Sequence, residues 1–386
     1  MQRMIAERLQ DALLPFQHTL REHALAIDSD PRSISRVLDS GVPFHQFAGL
    51  PREFASDPLR VDGEALYLTS CEERVIATEI LATGDASMVV GAPGASMSGV
   101  LIDALGSNRQ RERFYSRVAE RPIWTFFGLT EPNRGSDAAS LETLVDGDGS
   151  GEGRLIGHKK FVGNAARAEI GVVFARFRPG PLGIGAVLVE TDRRGFEATP
   201  LKTLGFRGVQ LSEIQLDAVP VVGADLLGEH LTPSRRGILG AVQVFNALRP
   251  VVGALGLGIA SAGLDYVRRE RRSLRQDEAA TMENFDARLQ TVRALVRRAA
   301  ALVDNGQADG AMSSAAKVLS VELASAVTQQ MPRLVGGAIR WEHPYLDKLR
   351  RDVGALELME GTSLIQRQNV ATGYLQRGLG AARVAK

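Results

Sequence analysis

The stretch Asp146-Gly-Asp-Gly-Ser-Gly-Glu-Gly153 decides how the rest of the chain is read. Glycines alternating with small polar residues offer no apolar face and favour neither helix nor strand, so the stretch reads as a turn. After it, apolar and β-branched runs at 170–177, 182–189 and 211–216, separated by turn residues, predict the short strands of a small sheet or barrel. A middle β domain over 123–228 follows from this.

Outward from that domain the period changes on both sides. Toward the N-terminus Val75, Ile76, Ile80 and Leu81 recur at helical spacing up to a break at Gly84-Asp85, and 1–122 reads as an α-helical domain. Past Gly228 a long helix is expected over 249–272. Asn284 is placed to cap the next one, whose Phe285, Leu289, Val292, Val296 and Val303 make one apolar stripe. A third helix over 313–331 is expected to stop before Pro332, and a last one covers 365–375. Four helices with apolar stripes predict a four-helix bundle over 229–386, so the fold class expected is mostly α with a central β-barrel.

Helix, then sheet, then helix excludes a doubly wound parallel sheet. Gly253, Gly256 and Gly258 have the wrong spacing for a dinucleotide-binding turn and suit close helix packing better. With no phosphate-binding loop either, a nucleotide cofactor would have to be held by other means. The 46 Lys plus Arg balance 45 Asp plus Glu to a net +1, which gives no global field for nucleic acid or an anionic membrane. No apolar run is expected to reach the roughly 18 residues that span a bilayer. The six histidines have no metal-ligand spacing, so no metal is expected. The single Cys71 cannot form an intramolecular disulfide and reads as an idle thiol; with no hydrophobic leader at Met1, the expectation is a cytoplasmic protein.

Between the helical and β domains lies Thr130-Glu-Pro-Asn-Arg-Gly-Ser-Asp137. It resembles the TEPxxGSD signature of acyl-CoA dehydrogenases. Four further segments fall in that family's order: Lys160-Phe-Val-Gly-Asn164; Leu204-Gly-Phe-Arg207 with Leu216-Asp-Ala-Val-Pro220; Leu334-Val-Gly-Gly337; and Arg351-Asp352 leading to Met359-Glu-Gly-Thr-Ser363. The likeness covers about 126–375, while the N-terminal third is similar only in helical texture. The residues suit the role: Pro132 fixes a turn, and Thr130, Gly135 and Ser136 offer a hydroxyl, a bare backbone and a second hydroxyl to a flavin edge or a pyrophosphate. A turn joining two domains is the alternative.

The resemblance implies FAD as cofactor, held by Leu129 through its backbone N–H and by Thr130, Gly135, Ser136, Phe161, Gly163, Arg271, Gly336, Gly337 and Thr362. It implies Glu360 as the base that removes the α-proton of an acyl thioester, with Arg249 supporting it and Phe245 and Gly361 against the substrate. Hydride would pass to flavin N5. Leu248, where some branches carry the base, cannot take a proton, and Glu357 is an internal rival to Glu360. Three departures stand out. Phe161 replaces a tryptophan, Gly163 replaces a threonine that donates to N5, and Arg271 lies in an incomplete form of the pattern that reaches a neighbouring subunit's FAD. The form Phe-Val-Gly-Asn resembles branches acting on carrier-bound groups, which implies an acyl carrier protein or CoA thioester, in a secondary-metabolite (polyketide extender unit) pathway. The electron acceptor implied is an electron-transfer flavoprotein or oxygen, and the assembly a homodimer or homotetramer. A flavin-dependent oxidase or monooxygenase of the same fold, and a flavin-bearing binding protein without catalysis, are the alternatives. The cluster Arg268, Arg269, Arg271, Arg272 and Arg275 could meet phosphates or an acidic carrier protein, or be a solvated helix end.

Overall fold

Leu9, Leu13, Leu20, Ala24 and Ile27 recur at steps of three, four and seven along helix α1 (Gln2–Ser29), and that stripe is buried against α2 (Cys71–Gly91). The structure is a computed structural model that describes residues 2–47, 49–147, 152–232 and 235–384; positions 148–151 of the glycine-rich turn lie outside it. At Gly84 the two helices come so close that a Cβ would stand 2.3 Å from the Gln17 carbonyl oxygen. One residue on, Asp85 leaves helical geometry (φ −159°, ψ 109°) and its carboxylate accepts the Met88 N–H at 2.7 Å. The break expected there is thus a kink inside one helix. Helices α3 (Ser96–Leu105) and α4 (Asn108–Glu120) follow, the latter started by a reciprocal Ser107–Gln110 cap, and a short hairpin of Leu59–Val61 with Glu64–Leu66 lies between α1 and α2 in the chain.

The middle of the chain forms one eight-stranded sheet of β1 (Trp124–Gly128), β2 (Leu144–Gly147), β3 (Gly153–Val162), β4 (Ala168–Arg176), β5 (Ile184–Glu190), β6 (Phe196–Pro200), β7 (Ser212–Val221) and β8 (Leu226–Leu227). The strand order is β8-β5-β4-β2-β3-β7-β6, with β1 parallel to β4. Val145, Leu155, Val173, Val187, Ile214 and Val219 meet inside it. The expected barrel is corrected here: the sheet is open, because among the described residues β6 pairs only with β7 and β8 only with β5. Closure is unnecessary at the β8 edge, where the strand is two residues long and helix α4 lies over it, Arg113 bonding Asp225 at 2.7 Å and pairing with Glu190.

The C-terminal part holds five long helices, α5 (Ile238–Glu270), α6 (Gln276–Asp304), α7 (Gly310–Val335), α8 (Pro344–Leu358) and α9 (Ser363–Val384), where four were expected. The start of α6 is not at Asn284, which lies inside it, but at Gln276, where the Glu278 carboxylate accepts the Arg275 N–H at 2.9 Å. Helix α7 runs through Pro332, whose missing N–H removes a single intrahelical bond near the end. A Cβ at Gly256 would lie 2.5 Å from the Ser320 hydroxyl, and one at Gly258 2.5 Å from the Ala82 Cβ, so α5 is pressed between α7 and α2. By length and composition Val242–Glu270 could cross a membrane, against the expectation from sequence, but its apolar surface is mostly buried in the bundle.

Candidate functional site

Helix α8 ends at Leu358 and α9 begins at Ser363, and the short connection reverses through two consecutive positive-φ residues, Glu360 (φ 52°) and Gly361 (φ 101°). Glycine takes that conformation freely, and glutamate does so only when held. Three groups hold it. Lys317 of α7 donates to the carbonyls of Glu357 (3.1 Å) and Gly361 (2.9 Å). Gln366 Nε2 donates to those of Glu360 (2.9 Å) and Gly361 (3.1 Å). The Glu357 carboxylate accepts the Ser363 N–H at 2.8 Å and its hydroxyl, which occupies both of its oxygens and makes it the cap of α9.

Glu360 itself is partly buried, with Oε2 shut off from water and without a hydrogen-bond partner. Burial pushes its carboxyl up to about 8, against the downward pull first of Arg249 and then of Lys317. Arg249, 7 % exposed on α5, donates to Asn246 Oδ1 at 2.7 Å, stands 6.0 Å from the Phe245 ring, and keeps a buried Nε without a partner. Burial lowers its pKa, opposed by Glu360. Lys317 is 0 % exposed, and burial takes its ammonium down to about 8 in spite of Glu357 and Glu360. Phe245 lies 6.2 Å from Phe127 and walls the cluster on its apolar side. A carboxylate that titrates near neutrality, with one oxygen free to take a proton, is the composition of a general base.

A second group of expected residues gathers at the ends of β1 and β3. Lys159, buried, donates to the Leu129 carbonyl (3.1 Å) and pairs with Glu131 (2.8 Å), whose carboxylate also accepts the N–H groups of Glu142 (2.7 Å) and Thr143 (2.9 Å). Lys160 N–H donates to the Thr130 carbonyl at 2.9 Å. These bonds lock the Thr130–Asp137 loop onto the strand that carries Phe161, and they leave Thr130 partly exposed, Gly135 and Ser136 exposed and Phe161 56 % exposed at φ 60°. An exposed aromatic ring held in a disfavoured backbone conformation, beside two hydroxyls and a bare glycine, fits the face and polar edge of a flavin. At Gly163 a Cβ would stand 3.2 Å from Val209 Cγ1, so the missing threonine side chain has little room. The loop 204–209 ties this edge to α8, the helix that leads to Glu360: Asn164 N–H donates to the Val209 carbonyl (3.0 Å) and Phe206 N–H to Asp352 (2.7 Å).

The remaining expected residues are placed apart from both groups or serve the chain itself. Gly336 (φ 122°) and Gly337 follow α7, exposed, with nothing near a would-be Cβ. Arg271 comes close to them but is committed within its own chain, to the Leu334 carbonyl and to Glu278 at 2.9 Å. Thr362 accepts the Ile365 N–H at 3.5 Å. The basic cluster is largely compensated: Arg268 pairs with Asp265 (2.9 Å) and Asp286 (2.5 Å), and Arg275 with Glu278 (3.1 Å). Lys317, Gln366 and Lys159 escaped the sequence reading. The signal for Lys317 is a charge in phase with the buried positions Ser313, Ser320, Val321 and Ala324 of α7.

Comparison with known proteins adds a family. The acyl-CoA dehydrogenase middle domain matches residues 126–219, and the acyl-CoA dehydrogenase C-terminal domain residues 235–375. The chain is 32 % identical over 282 residues to cyclohexane-1-carbonyl-CoA dehydrogenase of Geobacter metallireducens, covering 70 % of this chain and 73 % of that protein. Butyryl-CoA dehydrogenase from Megasphaera elsdenii superposes with a TM-score of 0.80 at 24 % identity, over 95 % of this chain and 98 % of that one. The prolyl acyl carrier protein oxidase AnaB gives 0.79 at 20 % identity, over 95 % and 98 %. At these identities the two structures speak for the fold.

Proposed function

Since the chain belongs to the acyl-CoA dehydrogenase superfamily, we propose that this oxidoreductase removes hydrogen from the α and β carbons of an acyl thioester, with FAD as its cofactor. The observation that carries the reading is Glu360, a carboxylate raised to about 8 with an unpartnered Oε2, facing the charges of Arg249 and Lys317. Bound FAD supplies the acceptor for the β-hydride. Leu129, Thr130, Gly135, Ser136, Phe161 and Gly163 would hold its ring end, with Thr362 next to the base. Gly336 and Gly337 would meet its adenosine end, and Arg271 stands next to them.

Glu360 Oε2 takes the α-proton. Only the ionised form can do so, and the rate therefore rises with pH through about 8. Arg249 favours the ionised carboxylate by its charge, against burial, and Phe245 and Phe127 keep water from the acyl chain. Gly361 lets the backbone turn beside the thioester. The Phe161-Val-Gly-Asn164 form supports a substrate on an acyl carrier protein over one on CoA, as in assembly of a polyketide extender unit. Leu358 and Leu364, exposed beside the connection that carries Glu360, and Tyr374 and Leu375, exposed farther along α9, support a homodimer or homotetramer.

Anaerobic mixing with a panel of acyl-CoA and acyl-carrier thioesters, following flavin bleaching, tests the reading. Wild type bleaches with its own substrate, and Glu360→Gln binds FAD but does not bleach. Full bleaching by Glu360→Gln moves the base elsewhere, and absence of bleaching with every thioester in wild type supports a binding protein. A second reading, an oxidase or monooxygenase, has Gly163 in its favour, since no side chain there can donate to N5. Fast reoxidation by oxygen, with none by an electron-transfer flavoprotein, supports it.

A further inference from the structure

Lys317 lies in no motif, yet it is a wholly buried ammonium in the bundle core. Removing such a charge from water costs several kcal/mol unless it is paired and hydrogen-bonded. Two of its three protons go to carbonyls on either side of the reversal: that of Glu357, in the last turn of α8 where the helix dipole is negative, and that of Gly361 beyond it. Between them Glu360 keeps a positive φ, which is strained for a non-glycine residue and persists only under outside restraint. Gln366 braces the same turn from α9, without charge. The charged groups that act on Glu360 are Arg249 from α5 and Lys317 from α7, and Glu357 at the end of α8 acts on Lys317. The hydrogen bond of Arg249 goes to Asn246 and not to the turn.

We propose that Lys317 is a positioning residue for proton abstraction: its ammonium braces the Glu357 and Gly361 carbonyls, holding Glu360 in its left-handed conformation, and its charge favours the ionised carboxylate. This rests on Glu360 being the base. Burial raises the Glu360 carboxyl and Lys317 acts downward on it, so loss of the cation moves that carboxyl further up.

Lys317→Met removes charge and donors at similar length, and Lys317→Gln keeps a donor without charge. Each is loaded with FAD and mixed anaerobically with a thioester that bleaches wild type, over roughly pH 6 to 10. The Glu360 carboxyl is titrated separately by infrared difference against the matching Glu360→Gln protein. Lys317→Met is expected to slow limiting flavin reduction by about 10²-fold, with substrate affinity changed by less than about threefold. Its rate ionisation and infrared titration should both move up by about one pH unit. Lys317→Gln should recover part of the rate and keep the shifted ionisation. A Met variant with wild-type rate and ionisation overturns the proposal. Loss of FAD binding by both variants also overturns it, since Lys317 would then serve the fold alone. Should Glu360→Gln reduce flavin at the wild-type rate, the base assignment fails instead; the Lys317→Met shift would then persist in the infrared titration and vanish from the rate.

Discussion

Two buried charge clusters lie at opposite ends of α8 and have been solved in opposite ways. Toward its start Lys348 meets Asp85 at 2.6 Å and Asp352 at 2.5 Å, and the carboxylates accept the Met88 and Phe206 N–H groups in turn. Burial lowers the pKa of Lys348, but the two aspartates outweigh it and hold the ammonium well above the usual lysine range. At its end Lys317 bonds to carbonyls instead of carboxylates and falls to about 8, while Glu360 rises to about 8. Charges of the same kind, buried in one bundle, thus build a permanent ion pair where they are matched and a titratable site where they are not.

The difference is sharpest in stability. Lys348→Met leaves two carboxylates facing each other without a cation, and should cost about 3–5 kcal/mol in thermal or denaturant unfolding while leaving the pH dependence of flavin reduction alone. Glu360→Gln should act in the reverse direction. The folded Glu360 carboxyl holds its proton up to about 8, whereas in the unfolded chain it ionises near its ordinary value of 4.5. Wild-type stability is therefore lost as pH rises between those values, and the glutamine variant should be more stable than wild type at pH 8 by about 2 kcal/mol. If both substitutions destabilise at pH 8, the two clusters are of one kind.

Lys159 tests whether the flavin edge belongs with the matched cluster. Burial lowers it to about 8, and Glu131 opposes the fall, so the pair sits between the two extremes. Lys159→Met should loosen the Leu129–Thr130 segment and weaken FAD binding by about tenfold in a fluorescence titration, with a smaller stability loss than Lys348→Met. Gly163→Thr gives the smallest effect: crowding against Val209 costs about 1 kcal/mol or less, while slower flavin reoxidation by oxygen is the expected readout.

Much of this was legible in the sequence, and the failures have physical causes. Helical stripes such as Phe285 to Val303 and the strand runs read correctly because periodicity records which face is buried. Whether a sheet closes depends on which strands pair at its edges, and pairing between distant segments leaves no local pattern; hence the barrel was wrong. Asn284 misled because a good capping residue can equally sit on an exposed helix face. Glu360 was singled out through its motif. Lys317 and Lys159, far away in sequence from the loops they brace, became visible only when the chain was folded.

The rate of anaerobic flavin bleaching by an acyl thioester, taken against pH in wild type and Glu360→Gln, bears most directly on the central claim. A rate that rises through an ionisation near pH 8 in wild type and is about 10³-fold lower in the variant, which still binds FAD, is the result expected. Equal rates in the two proteins, or a wild-type rate unchanged across that range, would contradict it.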